Sequence, residues 1–477
     1  MRDTENSRLG RTAVSGALSG AFLAAALVVS SVAGEARAET LADALVTAIE
    51  TSPELAQRRA ELRAQDENVA QARGGQRPVV EGQVSTGVDL TDTETRGTGF
   101  GAGGGTDVDT AVVGRLSGSQ NLFDFGRTEN RVKSQIATRD ADRFNLTETE
   151  QQVLRLAVNA YVEVLRAQER VAISRNNVRV IERELTAAQD RFDVGEVTRT
   201  DVAQARARLA EAVSALRQNE GLLGQARRTY VDAIGVAPGS LAPTPPLPDL
   251  PVSLEEAEAI AERSHPRIDT VRRDIKAAEF QTDAEKSDIL PTIDLSAAAS
   301  AQANRGDGQA DTDVFNAGAD IIATFPIYNG GVRRSEVRQR QALEAQQRAV
   351  LFDTTRDVLL EVGLAWEDLR TARAVIVSSQ AQIEAARIAF EGVKEEANVG
   401  SRTTLDVLDA EQEVLDARLA LIDARSDEYI AGYRLLASVG MLTSRHLGLA
   451  VEPYDPEDAY QAVQEPYIGW PEDARTE

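Results

Sequence analysis

The sequence predicts a mainly helical chain that carries two β-hairpins, one in each of two similar halves. Three observations support this fold class: an internal repeat, long tracts with a seven-residue hydrophobic spacing, and segments in which apolar and polar residues alternate. The composition agrees, because 27% charged and only 4% aromatic residues over 477 positions is typical of long helices and coiled coils. A globular enzyme is not expected from it.

The net charge and the residue types exclude several kinds of function. A formal charge of −24 disfavours a nucleic-acid partner, because the chain and the phosphates would repel each other. The chain has no cysteine and only two histidines, His265 and His446, so thiol chemistry, disulfides and cysteine zinc sites are excluded. We expect each histidine to be a surface or capping residue, and we expect no catalytic residue, metal or cofactor.

The N-terminus, residues 1–38, is predicted to be a secretory signal peptide. Arginines precede a long apolar run, and Ala36 and Ala38 place small residues at the third and first positions before Glu39. No later apolar run reaches the about 18 residues of a transmembrane helix. A mature chain that enters a membrane would therefore do so with strands.

The rest of the chain repeats itself. The matched pairs are Leu41 and Leu254, Pro53 and Pro266, Pro78 and Pro291, Gly195 and Gly400, and Gly235 and Gly440. They define a first repeat at 39–235 and a second at 253–442, joined by a proline-rich linker at 236–252. The acidic tail, 443–477, has no strong periodicity, and we expect it to be partly disordered.

Each repeat contains one long helical tract and two strand-like segments. Apolar or small residues recur at spacings of four and three from Val358 to Ala397, and again from Val153 to Phe192, which predicts left-handed coiled-coil packing. The predicted strands lie at about 79–89, 109–123, 292–303 and 314–325, near the length that a tilted transmembrane strand requires. A soluble hairpin packed on helices would show the same alternation, and this alternative stays open.

The same turn follows both long tracts, as "VGEVTRTDV" and "VGSRTTLDVLDAE". Gly195 and Gly400 permit the positive φ at which a helix ends, and Thr198 and Thr403 can cap the next helix. The second copy also carries charged residues spaced four, three and four apart on one helix face: Arg402, Asp406, Asp409 and Glu413. The matching residues of the first copy are Val197, Asp201, Gln204 and Arg208.

A signal peptide, two such repeats and the paired turns resemble the TolC family of outer-membrane channels of type I secretion and drug efflux. The resemblance covers about residues 40–442. It implies a homotrimer in the outer membrane of a Gram-negative bacterium. Three chains together would form a 12-stranded membrane β-barrel, continued through the periplasm by a coiled-coil α-helical tunnel.

The resemblance also implies partners and residue roles. An inner-membrane pump, either ABC-type or proton-driven, and a periplasmic adaptor protein would dock at the lower end of the tunnel and open it. Asp406 and Asp409 would line the pore constriction, and Arg402 and Asp201 would form a gate latch. Some relatives have a tyrosine three residues before the second glycine, where this chain has Ala397. One latch contact is therefore missing or replaced.

Two rival functions follow from the same residues. A soluble periplasmic coiled-coil adaptor would use the helices and keep its hairpins out of the membrane. A hydrolase would need two acids on either side of a substrate pocket, whereas Asp406 and Asp409 lie along one helix face. The residues do not identify the exported substrate.

Overall fold

A computed structural model describes residues 38–93, 105–306, 311–452, 454–457 and 460–461. The predicted signal peptide lies outside these residues, apart from Ala38. The first repeat contains α1 (Leu41–Thr51), α2 (Pro53–Gly74), β1 (Val79–Thr93), β2 (Gly105–Phe123), α3 (Arg127–Asp193) and α4 (Arg199–Ile234). The second contains α5 (Leu254–Ser264), α6 (Pro266–Ser287), β3 (Thr292–Gly306), β4 (Thr312–Thr324), α7 (Val332–Asn398) and α8 (Thr404–Ser438).

The four strands form one antiparallel sheet in the order β1-β2-β3-β4. The two hairpins, one from each repeat, therefore meet along β2 and β3. The strands extend beyond the predicted segments, since β1 continues to Thr93, β2 begins at Gly105 and β3 continues to Gly306. Strands β1 and β4 are the two edges of this sheet.

One face of the sheet is apolar and exposed. The register places Val84 opposite Gly114, Leu116 opposite Ala299, and Ala301 opposite Phe315, so these side chains share a face. Val84 is 81% exposed and Phe315 is 73% exposed. Other large apolar residues of this face that are also exposed are Val80, Val88, Leu90, Val112 and Ile321. Soluble proteins rarely expose so extended an apolar surface.

The opposite face of the sheet is polar and concave. An open cavity of about 590 Å³ lies on this face, and its lining includes Glu81, Arg115, Ser300, Asn316 and Asp320. An antiparallel sheet in water normally buries its apolar face and exposes its polar one. In this sheet the apolar face is exposed, and polar-face residues such as Glu81, Asn316 and Asp320 are exposed as well.

Two very long helices dominate the rest of the fold. Helices α3 and α7 have 67 residues each, or about 100 Å at a rise of 1.5 Å per residue. The half of each that precedes the turn pairs with the helix that follows it, α3 with α4 and α7 with α8, as the seven-residue spacing predicts, and both also pack on α6. Among the residues that the structure describes, none of the helices combines the length and apolarity needed to cross a membrane.

The main hydrophobic core lies where α1 and the middle of α3 meet the ends of α4 and α8. Tyr161 and Tyr230 are fully buried there. The Tyr161 hydroxyl donates to the carbonyls of Glu39 and Ala242, at 3.0 and 2.7 Å, and the Tyr230 hydroxyl donates to the Glu39 carboxylate at 2.6 Å. These bonds fasten the first residue after the predicted cleavage site, and the linker, to the core.

The described part of the C-terminal tail packs on α2 and α3. Arg139 is buried, donates to the buried Asp66 at 2.8 Å, and also pairs with Glu457 of the tail at 3.2 Å. The ring of Tyr460 covers the Arg139 guanidinium at 3.8 Å, and its hydroxyl accepts a hydrogen bond from Arg73. These residues of the tail are therefore held by side-chain contacts, and positions 453, 458–459 and 462–477 lie outside the described residues.

The two histidines occupy different environments. His265 is buried at the start of α6, where its Nδ1 accepts a hydrogen bond from the Arg267 backbone N–H at 3.1 Å, so it is a capping residue. Burial, aided by the neighbouring Arg267 charge, lowers the pKa of His265 to about 4. His446 is exposed. Neither histidine belongs to a cluster of potential metal ligands among the described residues.

Candidate functional site

The candidate site is the pair of hairpin ends, where α3 turns into α4 and α7 turns into α8. Gly195 and Gly400 stand at the turns with φ of 83° and 78°, a conformation that glycine adopts without strain. Thr198 and Thr403 are the N-caps of α4 and α8. The two ends are thus built in the same way from the repeated sequence.

Two of the candidate acids take part in these caps. The carboxylate of Asp201 accepts hydrogen bonds from the backbone N–H and hydroxyl of Thr198, both at 2.8 Å. Asp406 makes the same contacts with Thr403, at 2.9 and 2.8 Å. The bonds from Thr403 lower the pKa of Asp406 below its usual value, so it stays ionised at neutral pH. Such a capping box stabilises a helix start.

Arg402 makes its contact within its own turn. Its Nε donates to Glu396 at 2.9 Å, and both side chains are about half exposed. Asp201, on the other hairpin, is occupied by its own cap. The single chain therefore does not bring the two candidate latch residues into contact.

Asp409 is joined to the other hairpin. Its Oδ1 accepts a hydrogen bond from Nη2 of Arg208 in α4 at 2.5 Å. The same guanidinium donates through Nη1 to Glu211 at 3.0 Å. The repeat alignment contained a signal for this contact, since Arg208 is the basic residue that matches the acidic Glu413, but the pairing with Asp409 was not predicted.

Next to Asp409, Leu408 inserts into the first hairpin. It is 4% exposed and packs in a cluster, which we call the seam cluster, formed by Val178, Ile181, Ala188, Val202, Ala205, Ala212 and Leu408 itself. Leu408 is the α8 residue of this cluster. Burying a leucine stabilises by roughly 1.5–3 kcal/mol. An exposed ion pair contributes only about 0.2–1 kcal/mol, so the burial of Leu408 outweighs the pair between Arg208 and Asp409.

A third residue of this α8 segment, Glu411, lines a cavity of about 630 Å³ between α3, α7 and α8. Its Oε2 is buried and has no hydrogen-bond partner among the described residues. Burial, reinforced by the charge of Glu184, raises the pKa of Glu411 to about 7. The cations Lys394, Arg183 and Arg418 oppose this shift.

Further from the turns, α8 continues to pair with the first repeat. Arg166 contacts Asp427 at 3.5 Å, and Arg170 makes a bidentate pair with Asp423. Arginines of α3 and α4 therefore face acids of α8 along one line, which we call the seam. The Asp409 pair with Arg208 is the seam contact nearest the hairpin ends.

Known proteins resemble this chain in sequence and in fold. The family model described as "Outer membrane efflux protein" matches residues 44–236 and 259–441. The outer membrane efflux protein BepC of Brucella suis is 36% identical over 417 residues, covering 86% of this chain and 87% of BepC. The outer membrane protein TolC of Escherichia coli is 26% identical, covering 80% of this chain and 78% of TolC.

A solved structure shares the fold. CusC, described as forming a transmembrane channel, superposes with a TM-score of 0.72 over 84% of this chain and 92% of its own. The sequence identity is 16%, so this likeness concerns the fold. It agrees with the predicted class, in which each chain contributes strands and a helical region. The relatives in both comparisons are transport proteins of the outer membrane, not enzymes.

Proposed function

The chain belongs to the outer membrane efflux protein family, the TolC-like channels of the Gram-negative outer membrane, and on that premise we propose the following function. The protein is the exit duct of a type I secretion or efflux machine, and it spans both the outer membrane and the periplasm. The observation that carries the proposal is the extended, exposed apolar face of the sheet. An exposed apolar face suits lipid, and a concave polar face suits a water-filled lumen.

Three chains would complete the duct. Open sheet edges cannot face lipid, because their backbone groups would lack hydrogen-bond partners there. Four strands are too few for a membrane barrel, which needs at least about eight. A homotrimer would supply twelve, with the β1 edge of one chain beside the β4 edge of the next. The exposed apolar residues of α7, among them Leu343, Leu360, Leu364 and Val375, are a second surface that a neighbouring chain would cover.

The paired hairpin ends would close the duct. With threefold symmetry, Asp406 and Asp409 would place six carboxylates around one opening as its constriction. Arg402 and Asp201 are unpaired with each other within a chain, and we propose that they meet between chains as the latch. Docking of a periplasmic adaptor and an inner-membrane pump, ABC-type or proton-driven, would open it. The soluble adaptor considered above is disfavoured, since family members are outer-membrane channels.

Cation block tests the constriction. A ring of carboxylates in a narrow opening attracts counter-cations, so lanthanum added from the periplasmic side should block the conductance of trimers in planar bilayers. Block should weaken at high salt, because the screening length falls from about 10 Å at 0.1 M to about 3 Å at 1 M. Replacing Asp406 and Asp409 together with alanine should abolish most of it.

The matched control is Gln204→Ala, at the first-repeat position that corresponds to Asp409. It should leave the block unchanged, because it removes no charge. If the double variant is blocked as strongly as the parent, these aspartates do not line the constriction. Because Asp406 also caps α8, the trimeric state of the double variant is checked before its conductance is interpreted.

A further inference from the structure

Asp409 has a cationic partner on the other hairpin, and Asp406, the other candidate acid, has none there in the described part of the chain. Asp406 is engaged by Thr403 of its own helix, whereas Asp409 is engaged by a cation on the other hairpin of the same chain. Glu211 holds the Arg208 guanidinium from its own helix, one turn further along α4, and so helps to orient it toward Asp409. The charge around Asp409 therefore depends on whether the two hairpins lie together.

The burial of Leu408, the residue before Asp409, also depends on contact between the two hairpins. Leu408 and Asp409 are consecutive in α8, so Leu408 reaches the buried seam cluster while Asp409 lies at its exposed rim. Withdrawal of α8 from α4 would remove Leu408 from the cluster and separate Asp409 from Arg208 in one movement. The two contacts form or break together.

We propose that Arg208 couples the closure of the seam to the charge of Asp409. While the hairpins lie together, the guanidinium pairs with Asp409, and when they part, the carboxylate becomes free to bind a cation. This inference rests on the proposed function, which puts Asp409 at the constriction. In a trimer, the closed ring would then hold three carboxylates that lack a cationic partner on the other hairpin, those of Asp406, and the parted ring would hold six.

Thermodynamic linkage makes the coupling reciprocal. If parting of the seam strengthens cation binding at Asp409, cation binding must favour the parted seam by the same factor. Arg208 thus supplies a charged contact between the hairpins, whereas the methyl side chain of Ala397 cannot hydrogen-bond.

Cysteine labelling measures the seam without any conductance measurement. The full mature chain contains no cysteine, so Leu408→Cys introduces a single reporter at a buried position of the seam. In that background, Arg208→Gln should raise the rate of maleimide labelling of the detergent-solubilised trimer about two- to fivefold, the range expected for loss of one partly exposed ion pair. If the Leu408→Cys protein does not form trimers, Ala205→Cys, buried in the same cluster, replaces it as reporter.

Arg206→Gln is the matched control, because Arg206 lies two positions earlier in α4 and is exposed. It removes the same charge and should leave the labelling rate unchanged. The exchange of Arg208→Asp with Asp409→Arg should restore slow labelling. The inference is wrong if Arg208→Gln and Arg206→Gln label at the same rate.

Conductance measurements then test whether the contact with Arg208 controls cation binding at Asp409. In trimers without the cysteine, Arg208→Gln should raise the apparent affinity of lanthanum block about two- to fivefold over both the parent and Arg206→Gln, because Asp409 no longer has a cationic partner. Faster labelling without stronger block would overturn the coupling. If the double alanine variant of Asp406 and Asp409 leaves the block intact, the proposed constriction fails, whereas the labelling result on the seam stands independently.

Discussion

Ionisation of Glu411 destabilises the folded chain, because burial disfavours the charged carboxylate. Its pKa of about 7 lies above its ordinary value of 4.5, so the folded chain holds a proton that the unfolded chain has already released between these pH values. The contribution of Glu411 to the free energy of unfolding is therefore fully present below about pH 4.5 and is lost as the pH rises through about 7. The groups that face it are Glu184 and Arg183 from α3, Lys394 from α7 and Arg418 from α8.

We predict that Glu411→Gln stabilises the protein at pH 8 and has little effect at pH 5. The expected gain at pH 8 is about 1–2 kcal/mol, allowing for the partial exposure of the side chain. Thermal unfolding midpoints of the trimer between pH 5 and pH 8 measure it. Glu413→Gln is the control, since Glu413 is exposed two positions away. Equal pH profiles for the parent and Glu411→Gln would show that Glu411 is not the titrating group.

The latch residues give a second prediction at this scale. Arg402→Ser and Asp201→Ala should each raise the leak conductance of trimers several-fold, because each removes one side of the proposed contact between chains. Planar bilayer recordings without pump or adaptor measure the leak. Thr198→Ala separates the two roles of Asp201, since it breaks the helix cap and keeps the carboxylate. Parental leak in both single variants would disprove the latch.

Some of these residues could be identified from the sequence and others could not. Gly400 and Thr403 are recognisable because turn and cap chemistry is local, spanning a few neighbouring positions. The partner of Asp409 could not be recognised, because Arg208 lies 201 positions away on the other hairpin. No local sequence pattern specifies how the two hairpins are rotated relative to each other. The burial of Glu411 was missed for the same reason, because it depends on three helices at once.

At the scale of elements, the sequence predicts best those helices and strands whose hydrophobic pattern continues over many residues. The seven-residue spacing located α3 and α7, and alternation located all four strands, although β1 and β3 continue beyond the predicted segments into polar, turn-like sequence. The sequence did not predict the pairing of β2 with β3, because alternation defines the faces of a strand and not its neighbours. Packing of Tyr460 on Arg139 was also missed, since the tail lacks any period.

The glycines that end helices allow a comparison between two elements. Gly400 and Gly440 have φ of 78° and 82°, but a Cβ on Gly400 would meet no atom within 4 Å, whereas one on Gly440 would lie 2.9 Å from Pro266 Cδ. Gly400→Ala should therefore cost only the backbone strain, about 1 kcal/mol. Gly440→Ala should cost about 2–4 kcal/mol, because a steric clash with α6 is added.

Thermal unfolding of the two alanine variants, measured side by side at one pH, tests this ranking. A third variant, Gly392→Ala, provides the baseline, because Gly392 lies within α7 and a Cβ there meets no neighbouring atom. It should be neutral or slightly stabilising, since alanine favours helix over glycine. If Gly440→Ala unfolds no earlier than Gly400→Ala, the close approach of α6 to the end of α8 is not rigid.

At the scale of the whole molecule, we predict that the mature protein is a detergent-stable trimer in the outer membrane fraction. Its mass should be three times that of one processed chain, measured by light scattering with correction for bound detergent. The physical reason is the pair of open sheet edges together with the exposed apolar faces of the sheet and α7. A monodisperse monomer in mild detergent would contradict both the trimer and the barrel built from it.

The two open edges of the sheet also determine how the formation of finished protein should depend on the concentration of chains. A chain that has completed its own folding still presents two rows of unpaired backbone groups, along β1 with 15 residues and β4 with 13 residues. No rearrangement within one chain can pair both rows, so the last step of folding is a collision between chains. The yield of finished protein should therefore rise more steeply than linearly with the concentration of newly exported chains. Dilution would leave half-finished protomers exposed to proteases.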